Sequence, residues 1–279
     1  MSNQELIDHA RNIRRNILEA GHKAGAMHFG GSLSLVEILA FLYGEKMRYD
    51  AENPQWEERD RFVLSKGHCG LALYAALAEF GFITHEQLMA VDDNGGCFPS
   101  HCVQNVKYGI ELSSGSLGLG LSFALGQALA LGGNAGRVTL PSRDECEDSP
   151  KLYAVVGNGE INEGSFWEAA MYAGAKGVEN LCVVVDDNGM QLDGVSTEVM
   201  PVKNWGERLA AFGWSVAEAD GHDFDSLRTA FATPHDDKPL AVVAHTIKGK
   251  GVSFMENAPE WHHGRMNEEQ YHTAIGGVL

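Results

Sequence analysis

No stretch of the 279-residue chain comes near the roughly 18 uninterrupted apolar residues that a membrane-spanning helix needs. Paired cysteines are also missing. The five present (Cys69, Cys97, Cys102, Cys146 and Cys182) are an odd number with no CxxC spacing, so reduced thiols in a cytoplasmic protein are expected, not a disulfide framework or a zinc site. Positive charge is scarce. With 21 Lys and Arg against 38 Asp and Glu the formal charge is −17, which disfavours nucleic acid or an anionic membrane as partner but leaves room for a local basic site around a small anion. The opening MSNQELIDHARNIRRN is polar and mixed in charge, unlike the apolar core of a signal peptide. What is present is an ordinary globular mixture, 44% hydrophobic and 21% charged, long enough for one large α/β domain or two small ones.

Periodicity divides the chain into a helical first half and an alternating second half. Leu6, Ala10, Ile13, Ile17 and Leu18 predict an amphipathic helix over residues 5–19. Ser34-Leu35-Val36-Glu37 reads as a capping box ahead of a helix from Leu35 to Tyr43. LALYAALAEF after Gly70 predicts another helix, Thr84 to Gln87 caps a short one, and the Gly- and Ala-rich run from Leu117 to Leu131 suits a closely packed one. Thereafter strands predicted at 152–156, 181–186, 213–219 and 239–246 are separated by helical segments. That rhythm implies an α/β fold with a parallel sheet and helices on both faces. The acidic stretch 139–150 reads as an exposed hairpin or loop, its carboxylates solvated.

Chemistry concentrates where two strands end. Val155-Val156-Gly157-Asn158-Gly159-Glu160-Ile161-Asn162-Glu163-Gly164 is followed, after one helix and one strand, by Asp186-Asp187-Asn188-Gly189-Met190. In an open parallel sheet ligands bind at the carboxyl ends of strands. Gly157 and Gly159 let a backbone approach a phosphate, and the following helix offers N–H groups to an anion. Asn158, Asn188 and the Met190 carbonyl supply oxygen ligands of the kind that suit Mg2+ or Ca2+. One glycine loop is a weak signal; two such loops at this separation are a stronger one.

The pair resembles the diphosphate-and-magnesium motif of thiamine diphosphate enzymes. Around it, Arg59-Asp60-Arg61-Phe62-Val63-Leu64-Ser65-Lys66-Gly67-His68, His28-Phe29-Gly30-Gly31-Ser32, Pro99-Ser100-His101, Gly115-Ser116-Leu117-Gly118, Asp220-Gly221-His222-Asp223, Thr246-Ile247-Lys248-Gly249-Lys250-Gly251 and Trp261-His262-His263-Gly264 are similar to transketolase segments, in order over residues 5–275. The resemblance implies a thiamine diphosphate-binding fold, with residues 1–279 as its single diphosphate-binding domain. The pyrimidine-binding and C-terminal domains would lie on a complementary C-terminal transketolase subunit, in an α2β2 heterotetramer. It further implies Mg2+ (or Ca2+) and diphosphate on Gly157, Asn158, Gly159, Asn188 and Met190, and diphosphate donors in His68 and His263. Gly115 and Leu117 would line the aminopyrimidine side, Glu163 would enter a carboxylate relay reaching the partner, and His28, His101 and His263 would act on the sugar. The reaction implied is transfer of a two-carbon ketol unit from a ketose, phosphorylated or otherwise acidic, to an aldose.

Three positions depart from that pattern. Phe29 replaces a proline and Met27 a glycine, which is expected to reshape the donor-sugar wall. Asn158 replaces a metal-binding aspartate and removes one negative charge, so metal affinity is expected to fall at least as far as the roughly 10–100-fold lost when metal-orienting groups are changed. Glu160 is too close in sequence to be assumed as a substitute ligand. The twelve histidines include eight (His9, His22, His85, His222, His235, His245, His262 and His272) expected to be surface or ordinary core residues, and Lys248 fits a phosphate contact or a surface lysine equally. Two other readings remain: the α subunit of a 2-oxo-acid dehydrogenase, which shares the metal motif, and a non-catalytic relative of the same fold.

Overall fold

The computed structural model describes residues 1–132, 149–202 and 204–278. The helices in chain order are α1 (Asn3–Ala24), α2 (Phe29–Leu33), α3 (Val36–Phe41), α4 (Gly70–Glu79), α5 (His85–Met89), α6 (Leu119–Leu131), α7 (Gly164–Lys176), α8 (Ser196–Val199), α9 (Trp205–Ala211), α10 (Phe224–Phe231) and α11 (Glu268–Val278). The strands are β1 (Ala26–Met27), β2 (Arg61–Leu64), β3 (Leu152–Gly157), β4 (Leu181–Asp187), β5 (Met190–Gln191), β6 (Gly194–Val195), β7 (Ser215–Asp220), β8 (Leu240–His245) and β9 (Gly264–Arg265). Five of them form one sheet in the order β2-β3-β4-β8-β7, every pair parallel.

Strands alternate side chains between faces, and here both faces are dry. Tyr153, Val155, Cys182, Val184, Leu240, Val242 and Ala244 join α1, α3, α4 and α10 in one core. Leu152, Ala154, Val156, Leu181, Val183, Val185, Ala241 and Val243 join α6, α7 and α9 in the other. The expected parallel sheet covered by helices on both faces is therefore the observed architecture. Its carboxyl edge gathers the loops after β2, β3, β4 and β8 on one side of the molecule.

Two local expectations need correction. Ser34 and Glu37 form no capping box: α3 starts after Leu35 without a side-chain cap. Tertiary partners take both side chains instead, Ser34 Oγ donating to Asp186 at 2.8 Å and Glu37 accepting from Arg14 and His222. RFVL, read only as part of a motif, forms the edge strand β2. Thr84 and Gln87 do make a reciprocal cap on α5. Cys69, Cys102 and Cys182 are buried and Cys97 exposed, all as free thiols. Cys146 and residues 139–148 of the acidic stretch lie outside the described residues. Among the described residues no helix is long and apolar enough to cross a membrane.

At the sheet edge, Lys66 and Asp186 form a salt bridge of 2.5 Å with side chains 2% and 0% exposed. Removing one member leaves the other charge buried and unpaired, which costs about 3–5 kcal/mol. Lys66→Met is expected to lower unfolding free energy by that amount in urea titration; a loss below about 1 kcal/mol would show the pair to be dispensable.

Candidate active site

Asp186, the sixth residue of β4, is the organising group. Its Oδ2 accepts from Lys66 Nζ at 2.5 Å, Ser34 Oγ at 2.8 Å and Asn188 Nδ2 at 2.9 Å, while Oδ1 accepts from Thr246 Oγ1. These donors come from the loops after β2, β4 and β8 and from the end of α2. Burial alone would raise its pKa, but the adjacent Lys66 ammonium and the hydroxyl donors outweigh that and hold the carboxylate below its ordinary range. Lys66 in turn is held protonated by Asp186 against its own burial.

Beside this hub opens a cavity of about 410 Å³ lined by His28, Lys66, His68, His101, Gly115, Leu117, Gly157 to Glu160, Glu163, Asn188, Met190 to Asp193, Lys248 and His262. His28 stands at the centre of an imidazole cluster. Its ring centroid lies 5.2 Å from His68, 5.3 Å from His101, 5.4 Å from His262 and 4.6 Å from His263. Lys248 Nζ lies 3.0 Å from His262 Nδ1 and 3.3 Å from the Gln191 carbonyl. Burial and mutual repulsion push these cations toward neutrality: burial, then His263, lowers His28 to about 3, burial and Lys248 lower His262 to about 4, and burial and Lys66 lower Lys248 to about 8. His68 is lowered well below its ordinary value for the same reasons.

The oxygen donors are held in defined orientations. The Gly159 N–H donates to Asn158 Oδ1 at 3.0 Å, so the amide nitrogen must be the atom that donates to Ser196 Oγ at 2.7 Å. Likewise the Met190 N–H fixes Asn188 Oδ1 at 3.1 Å while its nitrogen donates to Asp186. Glu160, by contrast, is saturated by Ser65 Oγ, the Gly118 N–H at 2.9 Å and the Gly157 N–H at 3.1 Å, and it is not a free ligand. Burial raises its pKa against those donors.

This arrangement fits a diphosphate with a hard cation. Among the described residues no group of three or more His, Cys, Asp or Glu side chains could hold a metal; the candidate oxygen donors here are Asn158, Asn188 and the Met190 backbone. In the same cavity lining, His28 Nδ1 and Gln191 Nε2 are buried polar atoms without a protein partner. Buried polar atoms left unpaired are costly, and ligand oxygens entering the cavity would satisfy them.

Several expectations change. The N–H groups at 157, 158 and 159 all point to protein acceptors (Glu160, the Asp186 carbonyl and Asn158), so the glycine loop is not itself an open phosphate cradle. Side chains provide the donors. Met27 and Phe29 are fully buried, with the Phe29 ring 6.0 Å from Trp261, and neither lines the cavity. Phe29 replaces a proline without touching a sugar wall, because residue 29 faces the core under α1. His262, expected to be ordinary, lines the cavity, whereas its neighbour His263 joins the cluster from an exposed position. The tandem Trp261-His262-His263-Gly264 held that signal, but consecutive residues point different ways and spacing does not say which is inward. Lys248 is buried in the wall, not a surface lysine. His28, His68, His101, Gly115, Leu117, Glu163, Asn158, Asn188 and Met190, taken from separate sequence segments, all line the one cavity.

Comparison with known proteins agrees with this geometry. A family model described as transketolase, thiamine diphosphate binding domain, matches residues 3–274. The 6-deoxy-6-sulfo-D-fructose transketolase subunit SqwG of Clostridium sp. (strain MSTE9) is 41% identical over 279 residues, covering 99% of this chain and 97% of the relative. An apulose-4-phosphate transketolase subunit of Phocaeicola vulgatus is 38% identical, with 95% and 90% covered. The solved transketolase from Leishmania mexicana superposes with a TM-score of 0.87 at 28% identity, over 97% of this chain and 41% of that one. The chain thus spans about two fifths of the solved transketolases it matches. These matches favour transketolase over the 2-oxo-acid dehydrogenase and non-catalytic readings. The chain belongs to the transketolase family, whose thiamine diphosphate-dependent reaction is ketol transfer, and corresponds to that family's thiamine diphosphate-binding domain.

Proposed function

We propose that this chain is one of two subunits of a split transketolase, moving a two-carbon ketol unit from a phosphorylated or otherwise acidic ketose to an aldose. The observation that carries the reading is one cavity lined by His28, His68, His101, His262 and Lys248 together with Asn158 and Asn188, whose carboxamide orientations are fixed by hydrogen bonds. Thiamine diphosphate, when bound, supplies the nucleophilic carbon and electron sink for breaking and remaking the ketose C2–C3 bond. His68, His262, Lys248 and Gln191 would hold the diphosphate oxygens; Asn158 Oδ1, Asn188 Oδ1 and the Met190 carbonyl would hold Mg2+. His28, with its unpartnered Nδ1, and His101 hold or move a proton at the sugar carbonyl and leading hydroxyls, and His263 reaches the same sugar from the rim. A neutral imidazole such as that of His28 suits this task, since it can donate at one nitrogen and accept at the other.

The partner enters at the rim. Leu117 and Leu192 line the cavity, with Leu192 63% exposed, and Leu119, Val195, Val199 and Met200 are exposed in the segments that follow them. Exposed apolar residues at a site entrance favour a covering protein surface. Glu163 is exposed at this edge and would reach a partner carboxylate. The complementary chain would carry the pyrimidine-binding and C-terminal domains in an α2β2 heterotetramer in the cytoplasm.

Three outcomes follow. Ketol transfer from xylulose 5-phosphate, fructose 6-phosphate or a sulfonated ketose should be undetectable for the chain alone and should appear when it is co-purified with the chain encoded by its neighbouring open reading frame. Equal activity of the single chain would end the split-subunit reading. Asn158→Asp keeps both hydrogen bonds available, because its carboxylate accepts from Gly159 and from Ser196. It restores a charge beside the metal and should tighten Mg2+ binding by about tenfold or more in calorimetry with thiamine diphosphate present; unchanged affinity would remove Asn158 from the metal.

The imidazoles also make stability depend on pH. His28 and His262, at about 3 and about 4 in the folded chain, return to about 6.5 when it unfolds, so the unfolded state binds more protons between those values. Their cost is absent above about pH 6.5 and grows as pH falls below it. The thermal midpoint is expected to drop between about pH 7 and pH 5, and to drop less in His28→Gln; identical slopes for wild type and variant would contradict the assignment.

A further inference from the structure

Lys248 reaches the cavity from the loop Thr246–Gly251, and that loop is gripped from its far side by side chains that never touch the cavity. The Ile247 N–H donates to His222 Nε2 at 2.9 Å, and Arg14 Nε donates to the Lys250 carbonyl at 3.1 Å. Both gripping residues end on one carboxylate: His222 Nδ1 meets Glu37 Oε2 at 2.8 Å and Arg14 Nη2 meets Glu37 Oε1 at 2.5 Å. A backbone N–H can only donate, so His222 Nε2 must present its lone pair and Nδ1 must carry the proton given to Glu37. The hydrogen bonds therefore fix the imidazole tautomer without ambiguity.

The loop's front is held separately. The Gly249 N–H donates to the Gly30 carbonyl at 2.9 Å, the Asn257 N–H to the Lys248 carbonyl at 2.8 Å, and Thr246 Oγ1 to Asp186. Gly249 and Gly251 have φ of +82° and +88°, so the turn is one that few other residues adopt. A Cβ at Gly251 would lie 2.8 Å from Arg14 Cδ, so the loop rests directly on that side chain. The network opens behind the loop onto a second cavity lined by Arg11, Arg14, Glu37, His222, Asp223 and Gly251. His222 and Glu37 are each 11% exposed there, and Arg14 12%.

We propose that Glu37, Arg14 and His222 are positioning residues that set the height of Lys248 in the cavity and so its contact with His262 and with an anionic oxygen of the ligand. The proposal rests on the reading of the cavity as a diphosphate site. A nearly buried polar trio is a poor way to gain stability, since apolar groups of the same volume often do as well or better. Its value is geometric. Lys248 is a long flexible cation, and fixing its loop from behind at Ile247 and Lys250 removes freedom that binding would otherwise have to remove.

The test uses the full chain with Mg2+ and inorganic diphosphate as probe. His222→Phe fills the space but neither accepts from Ile247 nor donates to Glu37. His222→Gln offers one donor and one acceptor on a single planar amide and can keep both bonds. In His222→Phe, hydrogen exchange at the Ile247 amide should accelerate and diphosphate affinity in calorimetry should fall about tenfold, the scale on which orienting partners act. In His222→Gln both should stay close to wild type. Arg14→Met tests the other end of the network and should accelerate exchange in the same loop even if His222→Phe does not fold. A folded His222→Phe that binds diphosphate like wild type, or a His222→Gln as weak as His222→Phe, would overturn the proposal. So would unchanged loop exchange in both His222→Phe and Arg14→Met. Failure of the wild type to bind diphosphate would instead strike the site reading itself, while the exchange measurements still decide whether the network holds the loop.

Discussion

One buried carboxylate fastens the active edge of the sheet. Asp186 receives Lys66 from the loop after β2, Asn188 from its own loop, Thr246 from the loop after β8 and Ser34 from the end of α2. Strand order brings these loops to one side of the molecule, but nothing in a parallel sheet fixes their mutual geometry to within tenths of an ångström. An ionised acceptor in a dry environment can, because each charge-assisted hydrogen bond is short, directional and costly to break. The orientation of the Asn188 oxygen, the start of the Lys248 loop and the placement of the glycines near His28 all follow from that single group.

The second constraint is electrostatic. Lys66 is cancelled by Asp186, Glu160 is saturated by three donors, and the imidazoles of His28, His68 and His262 are held neutral by burial and by one another. With Asn158 in place of a carboxylate, the strand-end loop after β3 would bring a carboxamide oxygen and no charge to a bound cation. On the proposed reading, metal and diphosphate would supply much of one another's counter-charge. Histidines suit such a site: their dipoles satisfy anionic oxygens without requiring a permanent buried cation, which would be expensive before the ligand arrives.

Much of this was legible in the residues. The alternation of β-branched runs with helical segments led directly to a parallel sheet, because buried strands and amphipathic helices have different periods. The two strand-end loops led to the cavity, because open parallel sheets bind at their carboxyl edge. Other features were hidden for identifiable reasons. Ser34 and Glu37 match a capping box in spacing, yet partners 152 and 185 residues away in sequence win their side chains, and no local pattern reveals that competition. His262 and His263 are adjacent, and which of them faces the cavity depends on a short turn at Pro259–His262. Lys66 and Lys248 resemble any other lysine until long-range folding buries them. Phe29 and Met27 were misleading for the opposite reason: a substitution inside a ligand-binding motif need not face the ligand.

The account stands on one placement, that the cavity beside Asp186 holds the metal-bound diphosphate end of the cofactor. The most direct measurement is the anomalous difference map of crystals of the chain with its complementary subunit, grown with thiamine diphosphate and Mn2+ in place of Mg2+. The account predicts one strong peak within coordinating distance of Asn158 Oδ1, Asn188 Oδ1 and the Met190 carbonyl, with diphosphate density against His68, Lys248 and His262. A peak elsewhere, or an ordered cofactor whose diphosphate lies outside this cavity, would contradict it.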